Sequence, residues 1–467
     1  MTAIACALMS ALGFYFSLGL GDLWWLAWVA PVPVLWFAFG GTRPWQAFFV
    51  ALMAYGLGAT SILRAYAGLL PIPILILAIG APAITFALSV MGARRVRPVL
   101  GPVAAMFAFA ALWTAFDFLA AFSREGGSVS TPAAAEVGAP LLIQSASLVG
   151  FLGITFLLGF VSSGIALSLR LRTLGPVAVA FALFAANAAF GYWRMSAEPS
   201  GSIHVALIDS DDTMGPTMHD DRNAALKDIA AYAYQISKLQ SAHVSLIVLP
   251  ENIALIAPAW RSEAQARLAA AADQVHATLV AGFNTNLGQS QRNVSWAFMP
   301  GVSAPVTYMK RRLVPVLESS VFTPGPGPQV LTNGIGLEIC KDMDFQAMLR
   351  SDELTTKPLL LAVPAWDFDK DDWSHARVAV LRSVENGVPM ARTARDGLLT
   401  LNDRYGRLVA VTRSTGEFRT LIGNLPLDGR GGDTIYDRIG DAFGWLCIAL
   451  GIGLVGWSFA RRGKTAA

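Results

Sequence analysis

Apolar residues run almost unbroken through the first 195 positions, and shorter apolar runs separated by polar ones take over after about residue 200. A helix needs about 20 mostly apolar residues to cross a bilayer. Seven stretches before residue 200 meet that need, near 3–20, 23–40, 45–67, 70–92, 99–122, 141–169 and 174–193, and an eighth lies near 439–460. The first has no positive leader and further apolar runs follow at once, so it reads as a retained span and not a signal peptide. The pattern predicts a helical membrane domain of about eight spans. Its divisions are a transmembrane domain over 1–195, a second domain over 201–435, a C-terminal membrane helix at 439–460 and a basic tail at 461–467.

The second domain alternates short apolar runs with helical stretches. Strand-like runs stand at 203–208 (IHVALI), 245–249 (SLIVL), 278–283, 293–299, 304–309, 334–340 (GIGLEIC), 358–363, 388–393 and 398–402. Helical patterns occupy 221–240, 262–276 and 373–386, and the PGPGP cluster at 324–328 marks an irregular loop. Strands interleaved with helices predict an α/β sandwich with helices covering the sheets.

Composition sharpens this division. The chain has 467 residues, 54% hydrophobic and 14% charged, with a mean hydropathy of +0.50. Residues 1–200 hold only 14 of its 67 charged residues. The net charge of +3 is too small to call for a nucleic acid. Arg43, the group Arg94, Arg95 and Arg97, the pair Arg170 and Arg172, and Arg461, Arg462 and Lys464 all fall on one side if the eight spans alternate. That side is then cytoplasmic. Both termini follow it, and residues 201–435 lie in a periplasm, which makes this a multi-pass inner-membrane protein. The opposite loops carry only scattered charge, such as Asp22 and the stretch from Arg124 to Glu136. Arg64 stands near a span end and can snorkel, whereas Asp117 lies inside an apolar span, lining a cavity or packed. Cys6, Cys340 and Cys447 give no disulfide framework, and five scattered histidines imply no metal. No cofactor motif appears.

Three strand ends finish in reactive side chains. The run at 245–249 leads into Glu251, the run at 304–309 into Lys310, and the run at 334–339 into Cys340. Residues at such ends facing a crevice are a usual source of α/β active sites, and these three supply a base, a cation and a nucleophile. The set Leu249-Pro250-Glu251, Lys310 through Pro315, and Glu338-Ile339-Cys340-Lys341-Asp342 resembles the nitrilase (carbon–nitrogen hydrolase) superfamily. With seven spans before the domain and one after it, the chain is most similar to that superfamily's membrane branch, the apolipoprotein N-acyltransferases. Further matching stretches are Gln144, Gly150 and Gly153 in the sixth span, Ala376-Arg377, Glu385-Asn386, Ala391-Arg392, Leu401 through Gly406, and Gly432 through Tyr436 followed by Gly440-Asp441.

The resemblance implies an α-β-β-α sandwich and a Glu251-Lys310-Cys340 triad. Cys340 would be the nucleophile, Glu251 the proton carrier and Lys310 the oxyanion donor, with the Lys341 N–H as a second donor. Glu318 would position the lysine and the acceptor, and Trp366 could line the pocket or the core. The implied partners are a phospholipid acyl donor and a lipoprotein or other amine acceptor, joined through a thioester by ping-pong kinetics. A membrane-anchored amidase, or an acyltransferase with another amine acceptor, shares the triad. A transporter would need more intramembrane charge than these spans offer, and a catalytically dead scaffold would leave the three residues apart.

Overall fold

The computed structural model describes residues 2–122, 126–211, 221–286, 291–429 and 431–464. Arg124 and Glu125 of the sparsely charged loop, most of the polar loop after the first strand, and positions 465–467 of the basic tail lie outside the described residues. The chain divides into two compact units, one from 1–197 with 439–467 and the other from 198–438.

The first unit is helical. Its helices are α1 (Ala3–Ser17), α2 (Val32–Ala38), α3 (Pro44–Ala59), α4 (Leu63–Tyr66), α5 (Ile72–Leu100), α6 (Pro102–Ala121), α7 (Ala146–Val149), α8 (Leu152–Leu171) and α9 (Gly175–Met195). The second unit holds α10 to α13 and all but the last residue of α14 (Ile435–Ile439), and α15 (Ala442–Lys464) belongs to the first. Six segments are long and apolar enough to cross a membrane: Pro44–Tyr66, Ile72–Leu100, Pro102–Ala121, Leu152–Leu171, Gly175–Met195 and Ala442–Arg461. α1 is apolar but has 15 residues.

The apolar stretch at 23–40 differs from the expected single span. It forms a 3₁₀ turn at Trp24–Leu26 and then the seven-residue α2, about 10 Å long. Pro31 and Pro33 explain this, because proline starts a helix well and cannot continue one. The stretch at 141–169 is likewise divided. α7 ends at Gly150, whose φ of 70° suits glycine, before α8 begins. At the core Phe14, Tyr55, Phe86, Phe109 and Trp113 interlock, with ring centroids 4.9–5.8 Å apart. Large apolar side chains such as Ile4, Ile72, Ile76 and Phe181 stand outward and exposed, as a hydrocarbon solvent permits. Asp117 accepts hydrogen bonds from Thr131 (2.8 Å) and Thr155 (2.7 Å), so its site within the bundle is met by neutral donors.

The second unit holds two sheets. The first runs β13 (Arg419–Leu427), β1 (Gly201–Asp209), β2 (Leu246–Val248), β4 (Thr278–Asn286), β5 (Gln291–Phe298) and β6 (Val306–Met309), with β3 (Leu255–Ile256) also paired to β4. The second runs β12 (Leu408–Arg413), β11 (Leu398–Asn402), β10 (Met390–Arg395), β9 (Leu360–Trp366), β8 (Ile335–Leu337) and β7 (Gln329–Val330). Each has a parallel centre and antiparallel edges.

Side-chain alternation dictates the layers. On β1, Val205 and Leu207 enter a core with Leu246, Val248, Leu337, Leu360, Ala391 and Leu401, which draws on both sheets. Ala206 and Ile208 face the other way, onto α10 (Arg222–Ser237) and α11 (Arg261–Val275). α10 is capped by the Asp221 carboxylate and buries Leu226, Ile229, Tyr232 and Ile236, a helical stripe. Beyond the second sheet, α12 (Gln346–Thr356) and α13 (Asp372–Asn386) pack Leu349 and Ala379 on Leu361, Val363 and Met390. The order is helix, sheet, sheet, helix.

Leu207 is fully buried between the sheets, whereas Val409 on edge strand β12 is exposed. Leu207→Ala is expected to destabilise this unit by about 2–5 kcal/mol. Val409→Ala should stay within about 0.5 kcal/mol. Denaturant melts followed by fluorescence would separate the two.

Candidate active site

Glu251 follows β2 by way of Pro250. Its N–H donates to the Ala365 carbonyl of β9 (3.2 Å), so the backbone itself crosses between the sheets here. This approach requires Gly282 on β4: a Cβ there would lie 2.6 Å from the Glu251 Cα and 2.7 Å from the Pro250 carbonyl oxygen. Lys310 follows β6. Its N–H donates to the Asn293 carbonyl (2.9 Å) and its carbonyl accepts from Gly325 N–H (2.9 Å). Gly325 is again the residue that fits, since a Cβ would fall 2.2 Å from the Met309 carbonyl oxygen. The expected irregular loop at 324–328 thus clamps the lysine backbone.

The side chains then converge. Lys310 Nζ donates to Glu251 Oε1 and to Glu318 Oε1, each at 2.8 Å, and Lys310 is 1% exposed. Asn293, from the interior of β5, donates through Nδ2 to the same two oxygens, at 2.5 and 3.1 Å. Glu318 Oε2 accepts the Val314 N–H at 2.7 Å, which folds the loop after Lys310 back onto the lysine.

Cys340 opens a five-residue 3₁₀ turn just after β8. Its φ is +42°, uncommon for a residue with a Cβ, and such backbone strain is concentrated at functional positions. It is the partly exposed cysteine, whereas Cys6 and Cys447 are buried. Its Sγ donates to the Trp366 carbonyl at 3.6 Å. Asp342 fixes the turn. Its carboxylate accepts from Ile339 N–H (3.2 Å) on one side and from Arg311 and Arg312 N–H (3.2 and 2.8 Å) on the other. The segment that carries Lys310 and the turn that carries Cys340 are therefore tied by one carboxylate. Tyr308, Glu338, Arg311 and Asp352 continue this buried network behind it.

Electrostatics follow from the packing. Burial pushes the Glu251 carboxyl up, and the Lys310 charge pulls it partly back. Burial works against the Lys310 charge, but Glu251 and Glu318 overcome it and hold the ammonium well above its usual range. Burial and the Glu251 carboxylate raise the Cys340 thiol well above its usual value, against the pull of Lys310 and Arg392. The resting site is therefore a neutral thiol, an ammonium and two carboxylates. A thiol held neutral needs a base at the moment of attack.

Among the residues expected from sequence, Glu251, Lys310 and Glu318 are joined by hydrogen bonds, and Cys340 interacts electrostatically with the first two. The Lys341 side chain turns to Asp344 (3.2 Å), while its N–H lies in the first turn of a helix, where an amide has no intrahelical acceptor. Trp366 offers its carbonyl to the thiol, and its indole donates to Asp396 (2.7 Å). Sequence reasoning did not single out Asn293, which sits inside a strand, or Asp367, the buried ion-pair partner of Arg392; the charges of that pair both reach Cys340.

Comparison with known proteins adds an observation on other residues. Residues 7–164 match the family model of the apolipoprotein N-acyltransferase N-terminal domain. The three triad motifs, at 249–342, lie outside the region that this model matches. Relatives include apolipoprotein N-acyltransferases of Geobacter metallireducens (30% identical over 148 residues, 30% of this chain and 28% of the relative) and Vibrio vulnificus (25% over 175 residues, 34% and 33%). The chain thus spans about a third or less of these relatives' own lengths in the matched regions. Similar solved structures include a carbon-nitrogen hydrolase from Helicobacter pylori G27 (17% identity, 48% of this chain, 89% of that chain, TM-score 0.40). Another is an amidase from Nesterenkonia sp. (19% identity, 50% and 94%, TM-score 0.40).

Two predictions concern the charges at this site. Glu251→Gln removes the carboxylate that disfavours the thiolate, so it should speed alkylation of Cys340 by iodoacetamide at pH 7, while Lys310→Gln should slow it. Rates read against Cys340→Ala would show both signs. Asn293→Ala leaves the two carboxylates without their shared neutral donor, at a cost of about 1–3 kcal/mol. Cys340 alkylation measured across pH should then show a displaced midpoint, with Asn293→Asp displacing it further upward.

Proposed function

We propose that the chain is a membrane acyltransferase, resembling apolipoprotein N-acyltransferase, that carries a phospholipid acyl chain on Cys340 to the N-terminal amine of a lipoprotein. The observation that carries this reading is the buried Lys310 ammonium shared by Glu251 and Glu318 beside the strained Cys340. The six helices long and apolar enough to cross a membrane and the family match over 7–164 support a bilayer setting and a lipid donor.

In this mechanism Glu251 takes the Cys340 proton as Sγ attacks the ester carbonyl carbon of the lipid. The C–S bond forms and the carbonyl oxygen becomes an oxyanion, which the Lys310 ammonium and the Lys341 N–H stabilise. The C–O bond then breaks, and Glu251 gives its proton to the departing alkoxide of the lysophospholipid. A thioester remains. The acceptor amine attacks it, Glu251 receives an amine proton, and the C–S bond breaks with that proton returning to Sγ. One base serves both halves, so donor and acceptor alternate. The gathering of Arg43, Arg94, Arg97 and Arg170 about one end of the helical unit supports a cytoplasmic position for that end, with residues 201–435 periplasmic.

Intact-mass analysis of the purified chain with phospholipid vesicles tests the reading. The expected result is a gain of one acyl chain on wild type, removed by hydroxylamine and missing in Cys340→Ala. An unmodified Cys340 that still reacts with a thiol probe would overturn the lipid donor and favour a membrane-anchored carbon–nitrogen hydrolase. Because Glu251 must be ionised and lies above the ordinary carboxylate range, acylation should fall away on the acid side at a pH above that of a free glutamate.

A further inference from the structure

One end of the helical unit concentrates positive charge. Arg94 reaches from α5 to the carbonyls of Ala38, Gly40 and Thr42 and to the Thr42 hydroxyl (2.9 Å). Arg97, one turn on, donates to the Phe39 carbonyl. Arg170, near the end of α8, lies over the Trp36 ring at 5.1 Å, and its guanidinium stands 3.0 Å from where a Cβ on Gly40 would be. Three guanidinia from two helices therefore meet one five-residue stretch, 38–42. Among the described residues no carboxylate is within ion-pair reach of any of them. The acids of this unit lie elsewhere: Asp22 after α1, Asp117 and Asp441 at the far ends of α6 and α15, and Glu136 on the Trp28 indole (2.7 Å).

Setting membrane orientation requires only that basic residues lie near the span ends. Arg43 and Arg172 do that singly, and Arg95 does so over Phe459. It does not require three guanidinia to converge. Arg94 and part of Arg97 are used in capping the carbonyls that follow α2. The rest of Arg97 and the exposed Arg170 have N–H donors with no acceptor among the described residues. Planar forks of this kind suit a tetrahedral phosphate, and basic pockets between membrane helices bind anionic headgroups.

We infer that Arg94, Arg97 and Arg170 form a binding site for the phosphate of an anionic phospholipid headgroup, held as a bound lipid and not as an acyl donor. The site shares no residue with the Cys340 centre, so it stands or falls separately from the acyl transfer proposed above.

The test is native mass spectrometry of the full chain from detergent, offered equal phosphatidylglycerol and phosphatidylcholine. Wild type should retain one phosphatidylglycerol preferentially. Arg170→Gln, which removes no backbone hydrogen bond, should weaken retention about fivefold, and Arg97→Gln with Arg170→Gln about 25-fold. Arg97→Lys, which keeps the charge and loses the fork, should fall between wild type and Arg97→Gln. Arg64→Gln, an equal charge change over the Tyr15 ring, should have no effect. Equal retention by wild type and Arg170→Gln would overturn the site. A melting midpoint raised by inorganic phosphate, with no preferential lipid retained, would overturn the lipid as its occupant.

Discussion

A single buried ammonium organises the second unit's centre. Removing a charge from water costs several kcal/mol even after relaxation, and only close, well-formed partners offset that. Lys310 has two, Glu251 and Glu318, at 2.8 Å each. Three charges with a net of −1 are held in the interior with the help of Asn293, which donates to the same two carboxylate oxygens that the lysine bonds, and of the Val314 N–H, which meets the Glu318 oxygen that the lysine does not bond. This arrangement also suits the chemistry proposed. When Glu251 takes the thiol proton its charge disappears, and an oxyanion arrives near the same ammonium. The net charge of the pocket stays at −1 while one negative charge changes place. Glu318 does not take part in the transfer, and its role follows from that: it keeps the lysine protonated and aimed while the other carboxylate cycles.

Such a centre needs its parts held to a fraction of an ångström, and they come from different sheets. Glu251 and Lys310 leave the first sheet, and Cys340 leaves the second. The sheets are joined at this point by polar contacts as well as by the apolar layer. Glu251 N–H reaches Ala365, the Thr393 hydroxyl reaches the Val248 carbonyl (2.9 Å), and Asp342 connects the Cys340 turn to the Lys310 segment. Apolar packing tolerates sliding, because it has no direction. These bonds fix the register that the apolar layer between Leu207 and Leu360 leaves free.

The central strands were legible because they are buried on both faces and read as β-branched or leucine-rich runs, as in 246–248 and 278–283. β12 and β13 were not. They are edge strands whose exposed positions include apolar residues such as Val409, Val411 and Ile422, so a sequence such as LVAVTR shows no alternation matched to burial and no boundary signal of its own. α12 was missed for a related reason: QAMLRSDELTT is polar except for a narrow stripe. At the site, the three residues at strand ends stood out because polar groups there interrupt an apolar pattern. Asn293 follows the polar Gln291 and Arg292 in its strand, so nothing marks it until Glu251 and Glu318 are in place around it. Hydropathy alone also did not show that the stretch at 23–40 is broken, since it weighs side-chain transfer and not the N–H groups that Pro31 and Pro33 lack.

The two units treat buried charge in opposite ways, and the solvent explains why. In the sandwich a deep cation is matched by a carboxylate, as in Lys310–Glu251 and Arg392–Asp367. In the helical unit, a pair buried in hydrocarbon would require two charges to be inserted together. There the deep acids meet neutral donors, Thr131 and Thr155 at Asp117 and Trp28 at Glu136, and the guanidinia are kept at the end of the bundle on backbone carbonyls. Carbonyl dipoles satisfy the hydrogen-bonding geometry of an arginine without cancelling its charge. At the 38–42 end of the bundle Arg94 is met by carbonyls, whereas part of Arg97 and the Arg170 fork keep donors without an acceptor among the described residues and the charge is unbalanced, so a diffusible anion can supply both. A bilayer supplies such anions in its headgroups, at the depth where helices of 20 residues or so come to an end.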